Sequence, residues 1–250
     1  MHKTAEEIRV IRPKEEIVVW KIYNHGFILR DKFITIGFDV VRGAAEVLID
    51  DKYIDTIAKT IDVLFISHEH SDHNDIEIAE KVLQSGGAVV IPENLWTDRQ
   101  EKFKYANRSI SKQDSVYVKK KNRFIKFYTF PGHQGELSNN IYAVKLPVNK
   151  YVMHTGDQAS GSDKEWIEKI KEQITIDILI PNCWTNDLSG MVNSLDPSVV
   201  ILGHENEMGH TVDHRESFEK SYKLLEEINT SKIILNWAER YIYFLSDKLM

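Results

Sequence analysis

Residues 68–73 read His-Glu-His-Ser-Asp-His, so four side chains able to bind a metal fall within six positions. On extended chain just past a strand, positions two apart point the same way, so His68 and His70 can present imidazoles to one cation. Asp72 and His73 sit where the chain turns towards a helix and can face a neighbouring position a few ångströms away. The spacing suits two metals better than one. Two divalent cations can share one water, lower its pKa towards neutrality and hold the bridging hydroxide against an electrophilic carbon or phosphorus. Asp72 is placed to orient that water or move its proton. Hydrolysis is the expected reaction, with zinc as the first expectation for these imidazole and carboxylate ligands and manganese or iron as alternatives. Two other zinc patterns fail on spelling. HExxH needs a histidine where Asp72 stands, and a zinc deaminase needs a PCxxC pair that a chain whose one cysteine is Cys183 cannot supply.

These side chains need a scaffold that ends strands beside one another. The first third of the chain reads as strands at 17–23, 27–30, 33–38 and 63–67, rich in β-branched and aromatic residues and closed by turn formers. Asn74 followed by Glu77 resembles a helix-capping pair, Ile76, Ala79 and Leu83 recur at helical spacing, and Gly86-Gly87 stops the pattern. Ser162 and Glu165 form a second capping signature ahead of Trp166 and Ile170, and a third helix is expected over 214–229 with Phe218, Tyr222 and Leu225 on one side. Further strands are expected at 123–130, 140–146, 151–154, 176–180, 199–202 and 233–235. Many strands with a few interleaved helices imply a layered α/β architecture, sheet covered by helix. No linker-like tract or repeat interrupts the chain, so one domain over residues 1–250 is the simpler expectation.

The HxHxDH motif formed by His68, His70, Asp72 and His73 resembles that of the metallo-β-lactamase superfamily. In that superfamily a further His, an Asp and a last His follow from separate strand ends. The chain offers His133 in Phe130-Pro131-Gly132-His133, Asp157 in His154-Thr155-Gly156-Asp157, and His204 in Leu202-Gly203-His204. The resemblance, over residues 17 to 210, implies a four-layer αββα sandwich with two metals at one edge. It implies that His68, His70 and His133 hold the first metal, that Asp72, His73 and His204 hold the second, and that Asp157 bridges them. His210 and His214 compete with His204 for the last place and otherwise belong near the pocket. Asp39, in Gly37-Phe38-Asp39, matches the superfamily's early aspartate, which supports the metal loop. The Asn24-His25-Gly26-Phe27 turn, the SHEHSDH segment and the HTGDQ segment look most like the branch containing ascorbate-6-phosphate lactonase, which places His25 near the site.

His154 has two readings, support of a ligand or core packing. Asn182 and Trp184, with Asn139 and Asn140, flank expected strand ends and are candidates for lining a substrate pocket. Cys183 has no histidine-based activation pattern and reads as a small residue beside the pocket. Lys119, Lys120, Lys121, Arg123 and Lys126 make the densest basic run, read first as a solvated hairpin face and second as a phosphate or RNA contact.

The 250 residues carry 32 Lys and Arg against 38 Asp and Glu, a net charge of −6, which offers no overall basic field for a polyanion. The lone cysteine excludes an internal disulfide, and the acidic residues of the opening MHKTAEEIRV argue against a secretory segment. A cytoplasmic protein without a membrane span is expected. The first functional expectation is a metal-dependent hydrolase of a small ester or lactone, phosphorylated or not. A phosphodiesterase or ribonuclease on the same scaffold is the second, and a metal-holding binding protein without turnover is the third. Neither the substrate nor the oligomeric state is legible at this level.

Overall fold

Side-chain alternation along the apolar runs decides the layering. In β1 (Glu16–Tyr23), Ile17 and Val19 enter one buried cluster while Val18, Trp20 and Ile22 enter another. The same split divides Val63 and Phe65 from Leu64 in β4 (Val63–Phe65). Strands buried on both faces read as continuous apolar runs because each is sandwiched between a helix layer and a second sheet. In this computed structural model, residues 2–43, 49–99, 101–104, 106–109, 113–208 and 216–245 are described.

The first sheet contains β1, β2 (Gly26–Arg30), β3 (Thr35–Phe38), β4, β5 (Ala88–Pro92) and β6 (Asn107–Ser109), side by side in chain order. The second contains β7 (Gln113–Val118), β8 (Arg123–Gln134), β9 (Leu137–Lys145), β10 (Tyr151–His154), β11 (Ile178–Ile180), β12 (Val199–Leu202) and β13 (Ser231–Ile234). The last strand, β14 (Arg240–Phe244), returns to pair antiparallel with β1. Each sheet is antiparallel through its first four strands and parallel through the rest, so the two halves repeat one plan.

Helices α1 (His2–Val10), α2 (Asp51–Thr60) and α3 (Ile76–Gln84) cover the outer face of the first sheet through Ile8, Ile54, Ile57, Ile78 and Val82. Helices α4 (Lys164–Glu168) and α5 (Leu188–Leu195) cover the second sheet through Ile167, Met191 and Val192, with α6 (Phe218–Leu224) beside them. The architecture is the four-layer αββα sandwich, with the central core between the sheets. Among the described residues no helix is long and apolar enough to cross a membrane.

Several sequence expectations are corrected. The cap of α3 is Asp75, whose Oδ1 accepts the N–H of Glu77 at 3.0 Å and of Ile78 at 3.1 Å. Asn74 instead donates to the carbonyls of Glu69 and His70, bracing the ligand loop. Ser162 caps nothing; α4 begins after Asp163 with no side-chain cap. The strand expected from Phe33 begins at Thr35, because Asp31 Oδ1 takes the N–H groups of Phe33 and Ile34 at 2.7 Å in a turn. Helix α6 is shorter than expected and opens at Ser217; Tyr222 faces solvent, while Leu225, just beyond it, is buried. The expectation for residues 214–215 lies outside the described residues, as do those for His210 and His214.

Candidate metal centre

The ligand loop follows β4 directly, and Asp39 at the end of the adjacent β3 anchors it. Asp39 accepts the Ser67 N–H at 2.7 Å, the Ser67 hydroxyl at 2.6 Å and a contact from His73 Nδ1 at 2.8 Å. Burial opposes its ionisation, but the hydrogen bond and charge of His73, then His154 and His68, hold its carboxyl below the usual carboxylate range. With the Ser67 proton committed to Asp39, Ser67 Oγ is an acceptor for His68 Nδ1 at 2.9 Å. The hydrogen-bond network therefore assigns Nδ1–H to both His68 and His73. Their Nε2 lone pairs are buried and have no hydrogen-bond partner.

Those lone pairs face Asp157, which follows β10. Its Oδ2 lies 3.5 Å from His68 Nε2 and 3.9 Å from His70 Nδ1. Its Oδ1 lies 3.0 Å from His73 Nε2 and 3.2 Å from His204 Nε2. Asp72 Oδ2 closes the second group, at 3.2 Å from His73 Nε2 and 3.4 Å from His204 Nε2. Ligand atoms of His68, His70 and Asp157 lie within 4.8 Å of one another, as do those of Asp72, His73 and His204. Tetrahedral ligands at ~2.0–2.1 Å from zinc stand ~3.3 Å apart, so these separations fit a cation at each group. A lone pair aimed at a carboxylate oxygen is repulsive until a proton or a metal lies between them.

Protons answer that demand at His73 and His204 in the metal-free chain, whereas burial, then His73, holds His68 below its ordinary value. Burial alone would discharge His204, but Asp157 and Asp72 outweigh it and raise its pKa to about 9. His73 is likewise raised, burial being overcome by Asp157 and Asp72. Asp72 and Asp157 are held low against burial, chiefly by His73 and His204.

The backbone stores strain where it aims these groups. Asp39, His204 and Asn24 adopt positive φ of 45°, 73° and 49°. Such conformations cost on the order of 1–3 kcal/mol each and persist where neighbours fix them. Asn24 does so twice, donating to Asp72 Oδ2 at 2.8 Å and accepting the His204 N–H at 3.3 Å. Gly156, at φ 53°, has no room for a Cβ, which would lie 2.1 Å from Asn139 Oδ1. Asn139 can then accept the Asp157 N–H at 3.1 Å.

Of the other expected residues, His133 is in neither group: its Nδ1 lies 2.9 Å from Asp163 Oδ1 and its ring is about a third exposed. Its carbonyl accepts the N–H groups of Ala159 and Ser160, docking it against the Asp157 loop. His25 is fully buried against the centre, its ligand atom grouped with those of His73 and Asp157 and neither ring nitrogen hydrogen-bonded. His154 stacks on His25 at 4.1 Å and on Phe38 at 5.0 Å, and its Nε2 contacts the His25 carbonyl at 2.9 Å, so it packs under the site. Asn182 donates to Asp157 Oδ1 at 2.8 Å, orienting that carboxylate. Trp184 lies 5.9 Å from the His204 ring. Burial, then Glu205, pushes the Cys183 thiol up, which suits a packing residue. Asn24, Ser67 and Asp163 went unassigned in the sequence, where nothing separates them from turn residues. The buried Lys21–Glu205 ion pair beneath His204 also went unassigned, although a lysine inside the apolar run VVWKIY is a visible anomaly.

A cleft of about 420 Å³ opens beside the first group and shares His68 with it. Glu69, Glu93, Glu136 and Asn140 line it, and among the described residues no lysine or arginine does.

Igni18, a novel metallo hydrolase from Ignicoccus hospitalis, superposes with a TM-score of 0.68 at 14% identity, covering 91% of this chain and 98% of that one. The metallo-β-lactamase fold protein YhfI from Bacillus subtilis gives 0.62 at 13% identity, over 92% of this chain and 100% of that one. This chain has the metallo-β-lactamase fold. CmlA, a diiron β-hydroxylase from Streptomyces venezuelae, gives 0.65 at 15% identity over 93% of this chain and 55% of that one, so the fold is similar to that of a non-hydrolytic enzyme as well. No protein-family model and no curated protein matches the chain.

Proposed function

We propose that this metallo-β-lactamase-fold chain is a binuclear metal-dependent hydrolase of a small, uncharged ester or lactone, working in the cytoplasm. The division of Asp157 carries this reading, Oδ2 facing His68 and His70 while Oδ1 faces His73 and His204. A carboxylate so placed would serve two cations, one at each oxygen. His68, His70 and His133 would hold the first, with His133 using Nε2 while Asp163 orients the ring through Nδ1. Asp72, His73 and His204 would hold the second. Zinc suits the donor set best, manganese or iron next. Two such cations supply an activated water and withdraw charge from a carbonyl oxygen.

The chain's own part is to aim and to move protons. Asn24 fixes Asp72, which would orient the water and take its proton. Asn182 and Asn139 hold Asp157 from two sides, and Asp39 sets the His73 tautomer. The three glutamates of the adjoining cleft set a negative field, which favours an uncharged substrate over a phosphorylated one or a phosphodiester. A panel of lactones and simple esters set against bis-phosphodiesters, with Asp157→Ala as blank, tests the reading. Turnover of a lactone or ester, abolished in the blank, is expected. Turnover confined to phosphodiesters, or surviving Asp157→Ala, would refute it.

A further inference from the structure

The basic run at Lys119–Lys121 is not used by the metal chemistry; Lys119 and Lys121 are exposed on the hairpin, as the sequence suggests, but Lys120 is drawn inward. Lys120 is half-buried, its Nζ donating to the Ile61 carbonyl at 2.6 Å and the Lys59 carbonyl at 3.1 Å. It thereby closes the C-terminus of α2. Beside it lies a cavity of about 320 Å³ that gathers Arg12, Arg30, Lys32, Lys59, Lys120 and Lys121 from four separate segments. The carboxylates in its lining are Asp31 and Asp62. Asp62 is already committed, accepting the Thr35 N–H at 2.8 Å and lying 3.3 Å from Lys120 and 3.4 Å from Lys121. Asp31 spends Oδ1 on the backbone of Phe33 and Ile34.

Arg30 is the buried anchor, 7% exposed. Its Nε donates to Thr35 Oγ1 at 2.7 Å and its Nη1 to the carbonyls of Ile8 and Ile11, which leaves Nη2 without a hydrogen bond among the described residues. Burial, then the nearby Arg12, lowers the Arg30 pKa to about 10, against the pull of Asp62. Thr35 and Asp62 stand at the starts of β3 and β4, whose far ends lead to Asp39 and the ligand loop. The cavity therefore lies at the opposite pole of the first sheet from the metal-ligand cluster.

We propose that this cavity binds a small phosphate-bearing anion, held by Arg30 together with Lys32, Lys59 and Lys121. Its volume is at the lower end for sites that take whole small molecules, ~300–1,000 Å³, and exceeds that of a single phosphate. The ligand is distinct from the substrate, since the cavity stands at the opposite pole of the sheet from the metal-ligand cluster.

Calorimetric titration with inorganic pyrophosphate at fixed ionic strength tests the site on the whole chain. The arms are the wild-type protein, Asp157→Ala and Lys32→Ala/Lys121→Ala, each checked for folding by circular dichroism. Saturable binding is expected, equal in wild type and Asp157→Ala and at least about tenfold weaker in the double variant. The double variant should keep wild-type hydrolase activity. Absence of binding, its loss in Asp157→Ala, or equal binding by the double variant would overturn the proposal. So would binding of a short single-stranded RNA where pyrophosphate does not bind.

Discussion

Asp39 Oδ2 stands 2.8 Å from His73 Nδ1, and that contact turns the opposite nitrogen of the imidazole towards Asp157, where a proton or a metal can join them. Both side chains are buried, so no water substitutes for either partner. Asp39→Asn exchanges a charged acceptor for an amide and frees the ring to take the other tautomer. Metal affinity, measured by competition with a chromophoric chelator, is expected to fall by ~10–100-fold. Unchanged affinity would mean that the loop holds His73 without Asp39.

Lys21 and Glu205 form an ion pair with both side chains fully buried, on the residue next to His204. Removing one partner leaves an uncompensated charge, so Lys21→Met should lower unfolding stability by about 3–5 kcal/mol. Lys21→Met/Glu205→Gln should recover most of that loss in denaturant melts. Equal losses in the single and double variants would show that packing, not charge, is what the pair contributes.

In the metal-free chain the raised pKa of His204 makes stability depend on pH. A group lifted from 6.5 to about 9 stabilises fully below pH 6.5, and that contribution disappears as pH rises through 9. Asp72 and Asp157, held below 3.8, stabilise above that value and cease to do so only as pH falls past it. Burial lowers the pKa of His25, His68 and His154, so these favour the fold above pH 6.5 and oppose it below. Metal-free protein should therefore melt highest near pH 6.5 and lose on the order of 3 kcal/mol towards pH 10. Thermal melts with and without zinc check this, since the loss should vanish when a metal replaces the proton. A flat profile in the metal-free chain would contradict the assigned protonation.

Much of this centre was legible because its donors cluster in the chain. Residues 68–73 announce themselves, and β10 and β12 end three and two residues before the next functional side chains, Asp157 and His204. The strands bounding those loops read clearly because burial on both faces forces continuous apolar runs. What stayed hidden depends on contacts between distant segments. No local pattern shows that Asn24 braces Asp72 across 48 positions or that Asp163 takes the His133 ring. Helix α5 was missed because Gly190 reads as a breaker, yet its N–H bonds the Asp187 cap and Met191, Val192 and Leu195 still bury a face. The short α6 was overextended because apolar periodicity runs through the turn that follows it.

The central claim is that Asp157 joins two cations. Metal content of protein purified without chelator, by mass spectrometry on wild type and Asp157→Ala, tests it most directly. About two equivalents of one transition metal per wild-type chain, falling below one in the variant, is the expected result. A single equivalent or none in the wild-type protein would contradict the binuclear centre.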